Sequence, residues 1–152
     1  MSNNGFRLVA LNGLAMILLG MFLAGMPLVF VVTQDAYHQP APINVGGDYR
    51  GWMMAHLEGL LNGMMIIVLA AVTRFRTMAA GRERTLIAAL AVGGWGNTIA
   101  AILAPMFGVR GMIFDGSMAN NLVAGMFTFA LLGTVTALVL AILHLAPAEE
   151  RI

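Results

Sequence analysis

The fold is decided by residues 52–72, which read WMMAHLEGLLNGMMIIVLAAV. A helix needs roughly 20 apolar residues to cross the hydrocarbon core of a bilayer, and this stretch of 21 residues meets that length. Its first half nevertheless carries the imidazole of His56, the carboxyl of Glu58 and the carboxamide of Asn62. A charged side chain at the centre of a membrane helix costs about 2.5–3.5 kcal/mol even on the most permissive insertion scale. The stretch therefore predicts a membrane span and also contains the candidate functional residues.

Three more apolar stretches of similar length fill most of the remaining chain: residues 8–32, 86–107 and 122–146. The 152 residues are 60% hydrophobic and 10% charged, with a mean hydropathy of +0.87. A soluble four-helix bundle needs polar outer faces, which these stretches lack. The sequence therefore predicts an all-α integral membrane protein, a single four-transmembrane-helix bundle over residues 1–152, with a bend at Pro27 in the first span.

The arginines are distributed unevenly around these spans. Six lie in the N-terminal segment, the second-to-third connector and the C-terminal segment: Arg7, Arg74, Arg76, Arg82, Arg84 and Arg151. The other two loops hold only Arg50 and Arg110. Because cytoplasmic loops carry the excess of basic residues, both termini are predicted to face the cytoplasm, in a bacterial inner membrane.

The remaining composition excludes several classes of protein. The chain has no cysteine, which rules out disulfides, zinc–thiolate sites, iron–sulfur clusters and covalent haem attachment. No run of basic residues is long enough to indicate nucleic-acid binding. The net charge of +1 favours no acidic partner.

Helical geometry separates the polar residues of the second span. At about 100° per residue, Glu58 and Asn62 share one face, whereas His56 and Asn62 lie about 120° apart. One helix therefore presents the imidazole to one neighbour and the carboxamide to another. In a ring of identical subunits the two could belong to successive sites at protomer interfaces, and in an ordinary bundle they would face different helices of one chain.

His56 has a structural and a functional interpretation. The structural one is a neutral imidazole that is hydrogen-bonded to a neighbouring helix; the functional one is a metal ligand. A lone histidine does not make a zinc site of the Cys₂His₂ or His₃ type, and neither His38 nor His144 is an obvious second ligand. A single ligand suits haem, because the porphyrin supplies four bonds and one coordination position stays open.

The other polar residues of the spans have the same two interpretations. Glu58 is either a protonated or paired carboxyl or a proton shuttle. Asn62 and the third-span residues Trp95 and Asn97 either make interhelical hydrogen bonds, which are ordinary in membranes, or belong to an active site.

Several short motifs resemble the styrene oxide isomerase family and the hydroxylaminobenzene mutases related to it. They are Gly51-Trp52-x-x-Ala55-His56, then Asn62-Gly63-Met64-Met65, then Gly94-Trp95-x-Asn97, then Arg110-Gly111 with Phe114 after it. The similarity covers all four spans in order and length. The run Ala55-His56-Leu-Glu58-Gly59 is closer to the mutases than to the epoxide isomerases.

The resemblance implies a homotrimer of four-helix membrane proteins with haem b held between protomers. In such an enzyme ferric haem acts as a Lewis acid on a small aromatic epoxide, such as styrene oxide. The benzylic C–O bond breaks and a 1,2-hydride shift gives an aldehyde. His56 matches the haem-ligating histidine of the family and Asn62 its active-site asparagine. An apolar substrate would reach such a site from the membrane lipid.

Further candidates complete this predicted site. Glu58 and Asn97 join Asn62 as catalytic candidates. Trp52, Arg50 and Arg110 are candidates for cofactor binding, the two arginines as partners of the haem propionates.

One position departs from the epoxide isomerases, which carry a tyrosine six residues after the third-span tryptophan. Here that position is Ala101, so the phenolic donor of the epoxide isomerases is absent. Rearrangement of an arylhydroxylamine to an aminophenol is the nearest alternative, since it also leaves the oxidation level unchanged. The other alternative is a haem- or lipid-binding membrane protein without catalytic turnover.

Overall fold

Four membrane-length helical segments make up the protein. A computed structural model describes residues 1–38 and 43–146, and within them it contains no strand. The first span, Asn3–Ala36, combines α1 (Asn3–Leu19), a π-helical segment (Gly20–Ala24) and most of α2 (Gly25–Tyr37). The others are α3 (Tyr49–Thr73), α4 (Ala80–Met106) and α5 (Met118–Leu145). All four spans are long and apolar enough to cross a membrane, so the predicted all-α four-helix membrane architecture is confirmed. The homotrimer stays a prediction.

All four spans begin earlier than the apolar stretches that predicted them, and three of them are capped by a side chain. The side chains of Ser2, Asp48 and Ser117 accept hydrogen bonds from backbone N–H groups in the first turns of α1, α3 and α5. Such N-caps satisfy donors that have no partner within the helix. Each of these three helices therefore begins directly after its capping residue, three to five residues before the apolar run that hydropathy detects.

The first span is not a regular α-helix. Gly20–Ala24 form a π-helical turn, in which the N–H of Gly25 donates to the carbonyl of Gly20. Pro27 follows closely; proline lacks an N–H, and its ring collides with the carbonyl four residues earlier, here that of Leu23. The irregularity expected at Pro27 is thus found in the turn preceding it, with the wider hydrogen-bond ring of a π segment.

Small residues set the distance between neighbouring helices. A Cβ atom added to Gly20 would lie 2.8 Å from the Cα of Gly59 on α3, and one added to Gly133 would lie 2.7 Å from the backbone nitrogen of Gly93 on α4. These glycines let the first span approach α3, and α5 approach α4, at backbone contact. Close approach through small residues is the usual way in which membrane helices associate.

The outer surface of the bundle is apolar. Large side chains more than half exposed occur on every span, among them Leu11, Phe22, Val68, Phe129 and Ile142. A soluble bundle buries such residues, whereas a bilayer solvates them. The surface therefore fits a membrane protein.

The chain segments rich in arginine meet at one end of the bundle. The N-terminal amine of Met1 donates to the carbonyls of Thr73 and Arg76, each over 3.0 Å. Arg76 donates in turn to the carbonyls of Leu145 and Ala146 at the end of α5. We call this the arginine-rich end, formed by the start of α1, residues 74–84 and the last turn of α5.

Candidate active site

His56 is held by the backbone of the first span. Its half-buried imidazole places Nδ1 3.0 Å from the carbonyl oxygen of Gly20. A carbonyl only accepts, so Nδ1 carries the hydrogen and donates it. In the neutral ring Nε2 then keeps its lone pair, which is the form that binds a metal. The structural interpretation of His56 is therefore observed, and the same contact prepares the functional one.

The π-helical segment and Gly25, which follows it, determine the position of this imidazole. Gly20 is the first residue of that segment. A Cβ atom added to Gly25 would lie 3.1 Å from Nδ1 of His56 and 3.4 Å from Cε1. Gly25 thus leaves the ring just enough room. Because π turns inside α-helices often occur at functional sites, this one marks the contact with His56 as a feature worth testing.

A cluster of polar side chains occupies another face of α3. Oε2 of Glu58 accepts from Nδ2 of Asn97 at 2.5 Å and from Nδ2 of Asn62 at 3.3 Å. The amide of Asn62 also lies 3.3 Å from the hydroxyl of Thr98. Asn62 and Thr98 are buried, while Glu58 and Asn97 are half-buried. We call these four residues the carboxyl–amide cluster.

The contacts agree with the angular separation expected from the sequence. His56 contacts the first span through Gly20, whereas Asn62 and Glu58 contact α4 through Thr98 and Asn97. The i, i+4 pair Glu58 and Asn62 shares a face and a hydrogen bond. Within one chain, the imidazole and the carboxyl–amide cluster therefore face different neighbours.

Trp52 lies in the core of the bundle. Its side chain is 2% exposed and packs with Ala24, Val31, Ala55 and Ala101. The indole N–H donates to the carbonyl of Gly46 over 2.7 Å. This contact fixes the loop before α3 onto the helix. A contact between Trp52 and a cofactor stays a prediction.

The position of the missing tyrosine borders the carboxyl–amide cluster. Ala101 is 5% exposed and follows Asn97 by one helical turn on the same face of α4. It packs in the same group of side chains as Trp52 and Ala55. Ala101 therefore takes part in the packing of the core, and the phenol group of the epoxide isomerases is absent from this position.

The two predicted propionate partners are exposed. Arg50 lies in the first turn of α3 and Arg110 in the loop between α4 and α5. Asn120 holds that loop, since it accepts from the N–H of Gly111 at 2.8 Å and donates to the carbonyl of Ile113 at 2.6 Å. Both guanidinium groups are open to an anionic ligand, and that role stays a prediction.

Trp95 connects α4 to the first span. Its indole N–H donates to Oδ1 of Asn12 over 2.9 Å, and Asn12 also donates to the carbonyl of Leu8. Asn12 is the one clearly polar residue of the first apolar stretch. The pair is an ordinary interhelical hydrogen bond, which supports the packing interpretation of Trp95.

Sequence reasoning missed two participants. The sequence does not identify the carbonyl of Gly20 as a partner of His56. A backbone acceptor leaves no pattern in the sequence unless the helical turn that contains it is irregular. Thr98 was passed over although it directly follows Asn97, and a hydroxyl beside a carboxamide in an apolar span was a usable sign.

The donor set fits a cofactor that brings most of its own ligands. Within residues 1–38 and 43–146, no group of three or more His, Asp or Glu side chains lies close enough to hold a metal ion. His56 offers one nitrogen with its lone pair, oriented by a backbone carbonyl. A porphyrin supplies four further ligands, so these residues fit haem better than a bare ion.

Fold and polar residues together define a class: small membrane proteins of four helices whose second helix carries ionisable groups towards two neighbours. The family model of styrene oxide isomerase matches residues 6–146 of the chain. The chain belongs to the styrene oxide isomerase family, which confirms the resemblance noted in its motifs. Membership implies an isomerase with a styrene oxide isomerase-like function. A search of the curated proteins finds no match.

Proposed function

We propose that the protein is a haem-b-dependent membrane isomerase that rearranges a small aromatic epoxide to an aldehyde. The observation that supports this most is the contact between Nδ1 of His56 and the carbonyl of Gly20. It fixes the tautomer and makes Nε2 a better electron donor.

Haem would be held by His56, with Arg50 and Arg110 as partners of its propionates. When bound, it would supply ferric iron as a Lewis acid for the substrate oxygen. The chain's own contribution is to orient that ligand, to exclude water from the reacting carbon and to place a donor near the oxygen.

Asn62 is the best candidate for that donor. Its Nδ2 donates to Glu58 and to Thr98 at 3.3 Å each, and its Oδ1 accepts from Asn97 at 3.4 Å; all three distances are long for N–H···O bonds. Such bonds are weak and can be exchanged for one to the substrate. The 2.5 Å contact from Asn97 to Glu58 is tighter. Asn97 therefore serves to hold Glu58 while Asn62 turns to the substrate.

A single chain does not place all these groups together, because His56 and Asn62 face different helices. An assembly of identical chains would bring His56 of one protomer towards the carboxyl–amide cluster of another. We therefore propose a homotrimer with one site at each interface. Apolar substrates would enter it from the surrounding lipid.

Two features favour a second candidate reaction, the rearrangement of an arylhydroxylamine to an aminophenol. In that reaction the N–O bond breaks, a ring C–O bond forms and a proton moves from ring carbon to nitrogen, so atoms and oxidation level balance. A group that carries this proton is needed, whereas a hydride shift in an epoxide needs none. Glu58 is such a group, and the run Ala55-His56-Leu-Glu58-Gly59 is closer to the mutases than to the epoxide isomerases.

The arginine-rich end supports a location in the bacterial inner membrane and an orientation of the bundle across it. It gathers Arg74, Arg76, Arg82 and Arg84, whereas Arg50 and Arg110 belong to the other end. By the positive-inside rule, the arginine-rich end would face the cytoplasm of a bacterial inner membrane, and both termini with it.

The proposal is tested on protein expressed with an adequate haem supply and purified in detergent. We expect a Soret band and the formation of phenylacetaldehyde from styrene oxide or of aminophenol from phenylhydroxylamine. Product from only one substrate would decide between the two reactions. A Soret band without either product would favour a haem-binding protein, and colourless, iron-free material would remove the cofactor from the proposal.

A further inference from the structure

A polar cavity lies at the arginine-rich end, far along the bundle from the loop that Trp52 holds. Its volume is about 340 Å³, and its walls are residues 76–79, Arg82 and His144. It is an open cavity, lined by the connector between α3 and α4, by Arg82 in the first turn of α4 and by the last turn of α5. A smaller cavity of about 200 Å³ shares Met78, Arg82 and His144 with it and adds Leu140 and Leu143.

One buried group in these walls has no partner. His144 is 7% exposed, and its Nε2 is covered by protein atoms without a hydrogen-bond partner among the described residues. Leaving a buried polar atom unsatisfied costs about 1–3 kcal/mol, so native proteins rarely do so. His144 lines the cavity, so a ligand there would offer an acceptor to this imidazole.

The N-terminal end of α4 lies at the same cavity, which Ala79 and Arg82 line. Its N-cap is Ala79, which has no side-chain group to accept from the first N–H groups, whereas α1, α3 and α5 are capped by Ser2, Asp48 and Ser117. Uncapped N–H groups and the positive end of the helix dipole favour an anion. The acidic residue of that turn, Glu83, is engaged by the backbone N–H and hydroxyl of Ser2.

Two guanidinium groups complete the lining. Arg76 is fixed by its hydrogen bonds to the carbonyls of Leu145 and Ala146, at 3.2 and 3.1 Å. Arg82 lies on the wall of both cavities. Guanidinium groups bind phosphate oxygens through paired N–H donors, and this pairing is stronger near a membrane interface than in bulk water.

We propose that this cavity is a binding site for a phosphate group. Arg82 and Arg76 donate to its oxygens beside the positive end of α4, and His144 provides a further contact. The adjoining apolar cavity along Leu140 and Leu143 extends towards the lipid-facing surface, where Leu143 is 56% exposed. Its chemistry suits the phosphodiester of an anionic lipid, and a free phosphate ion offers the same oxygens. The site is independent of the proposed haem chemistry.

Binding is measured on the full chain in detergent with three probes: short-chain phosphatidylglycerol, short-chain phosphatidylcholine and inorganic phosphate at matched ionic strength. Native mass spectrometry counts bound lipid, and the unfolding temperature reports stabilisation. We expect phosphatidylglycerol to bind one per chain at least tenfold more tightly than phosphatidylcholine. Stabilisation by inorganic phosphate relative to chloride would identify the phosphate group alone as sufficient, and stabilisation by the lipid alone would identify the lipid headgroup.

Arg82→Gln is the test variant and Arg84→Gln its matched control, since Arg84 is exposed on α4 and carries the same charge but does not line the cavity. We expect Arg82→Gln to weaken binding at least tenfold and Arg84→Gln to leave it within twofold. His144→Phe keeps an aromatic ring without a donor and should also weaken binding. Equal losses in the two arginine variants, or no binding of phosphatidylglycerol or phosphate by the unaltered protein, would overturn the proposal.

Discussion

The two polar faces of α3 are built in different ways. His56 is fixed by a backbone carbonyl of the first span, at a π turn and beside a glycine. Glu58 and Asn62 are held by hydrogen bonds with the side chains of Asn97 and Thr98 on α4. The first arrangement permits one orientation of the imidazole, whereas the second permits exchange of partners.

This difference matches what each face has to do in the proposed reaction. A ligand that holds a cofactor must keep one orientation, because its lone pair has to point at the metal. A donor that binds substrate must release its resting partner when the substrate arrives, and long hydrogen bonds make that release easy. Variants on the two faces of α3 should therefore have different effects: those on the His56 face on cofactor binding, and those on the Asn62 face on turnover.

The largest expected effect is from His56→Ala, which removes the proposed metal ligand. The Soret band should disappear or fall strongly, and turnover with it, while detergent-solubilised protein remains folded. His38→Ala is the matched control, because His38 is exposed at the end of α2. Absorption spectra of both variants measure this, and an unchanged band in His56→Ala would remove His56 as ligand.

Asn62→Ala should separate the two faces most clearly. We expect the Soret band to be kept and kcat to fall about 100-fold, as is usual for loss of one donor near a reacting oxygen. Asn4→Ala, exposed on α1, controls for a general effect of losing a carboxamide. Full activity in Asn62→Ala would reduce Asn62 to an interhelical contact.

Glu58→Gln keeps the size of the side chain and its ability to accept from Asn97, but it cannot carry a proton. Arylhydroxylamine rearrangement should fall about 100-fold, since general acid–base groups contribute at least that much. Epoxide rearrangement should change less than threefold, because it moves a hydride within the substrate. Parallel kcat measurements decide the matter; equal losses in both reactions would make Glu58 a structural residue.

The smallest effect should come from Gly25→Ala. The added methyl would lie 3.1 Å from Nδ1 of His56, so the imidazole must shift by a few tenths of an ångström. Loss of such support typically weakens metal binding about tenfold. Haem titration of the apoprotein measures this, with Gly81→Ala as control, since nothing lies near that position. Unaltered haem affinity would show that the ring is not constrained there.

Hydropathy alone predicted four spans, since a 20-residue apolar run has few alternatives in a chain with so little charge. The i, i+4 pairing of Glu58 and Asn62 followed from helical period. Helix starts did not follow, because caps such as Ser117 lie outside the apolar run. The sequence also gave no sign that Trp52 would be 2% exposed, since tryptophan near a span end usually indicates an interface.

The tertiary contacts were the least predictable part. Which backbone oxygen meets His56 depends on the crossing of the first span and α3 at Gly20 and Gly59, and period alone does not identify the crossing point. Similarly, the burial of His144 depends on how the connector folds across the end of α5. Both required the packed structure.

The π-helical segment Gly20–Ala24 also determines how the helices before and after it are rotated about the axis of the first span. A π turn contains one residue more than the α-helical path it replaces, so Gly25–Tyr37 is rotated by about 100° relative to a continuous helix from Asn3–Leu19. The helix before the turn, Asn3–Leu19, contacts Trp95 of α4 through Asn12, and the helix after it, Gly25–Tyr37, contacts His56 of α3 at Gly25. A chain one residue shorter at this turn could satisfy either alignment, but not both.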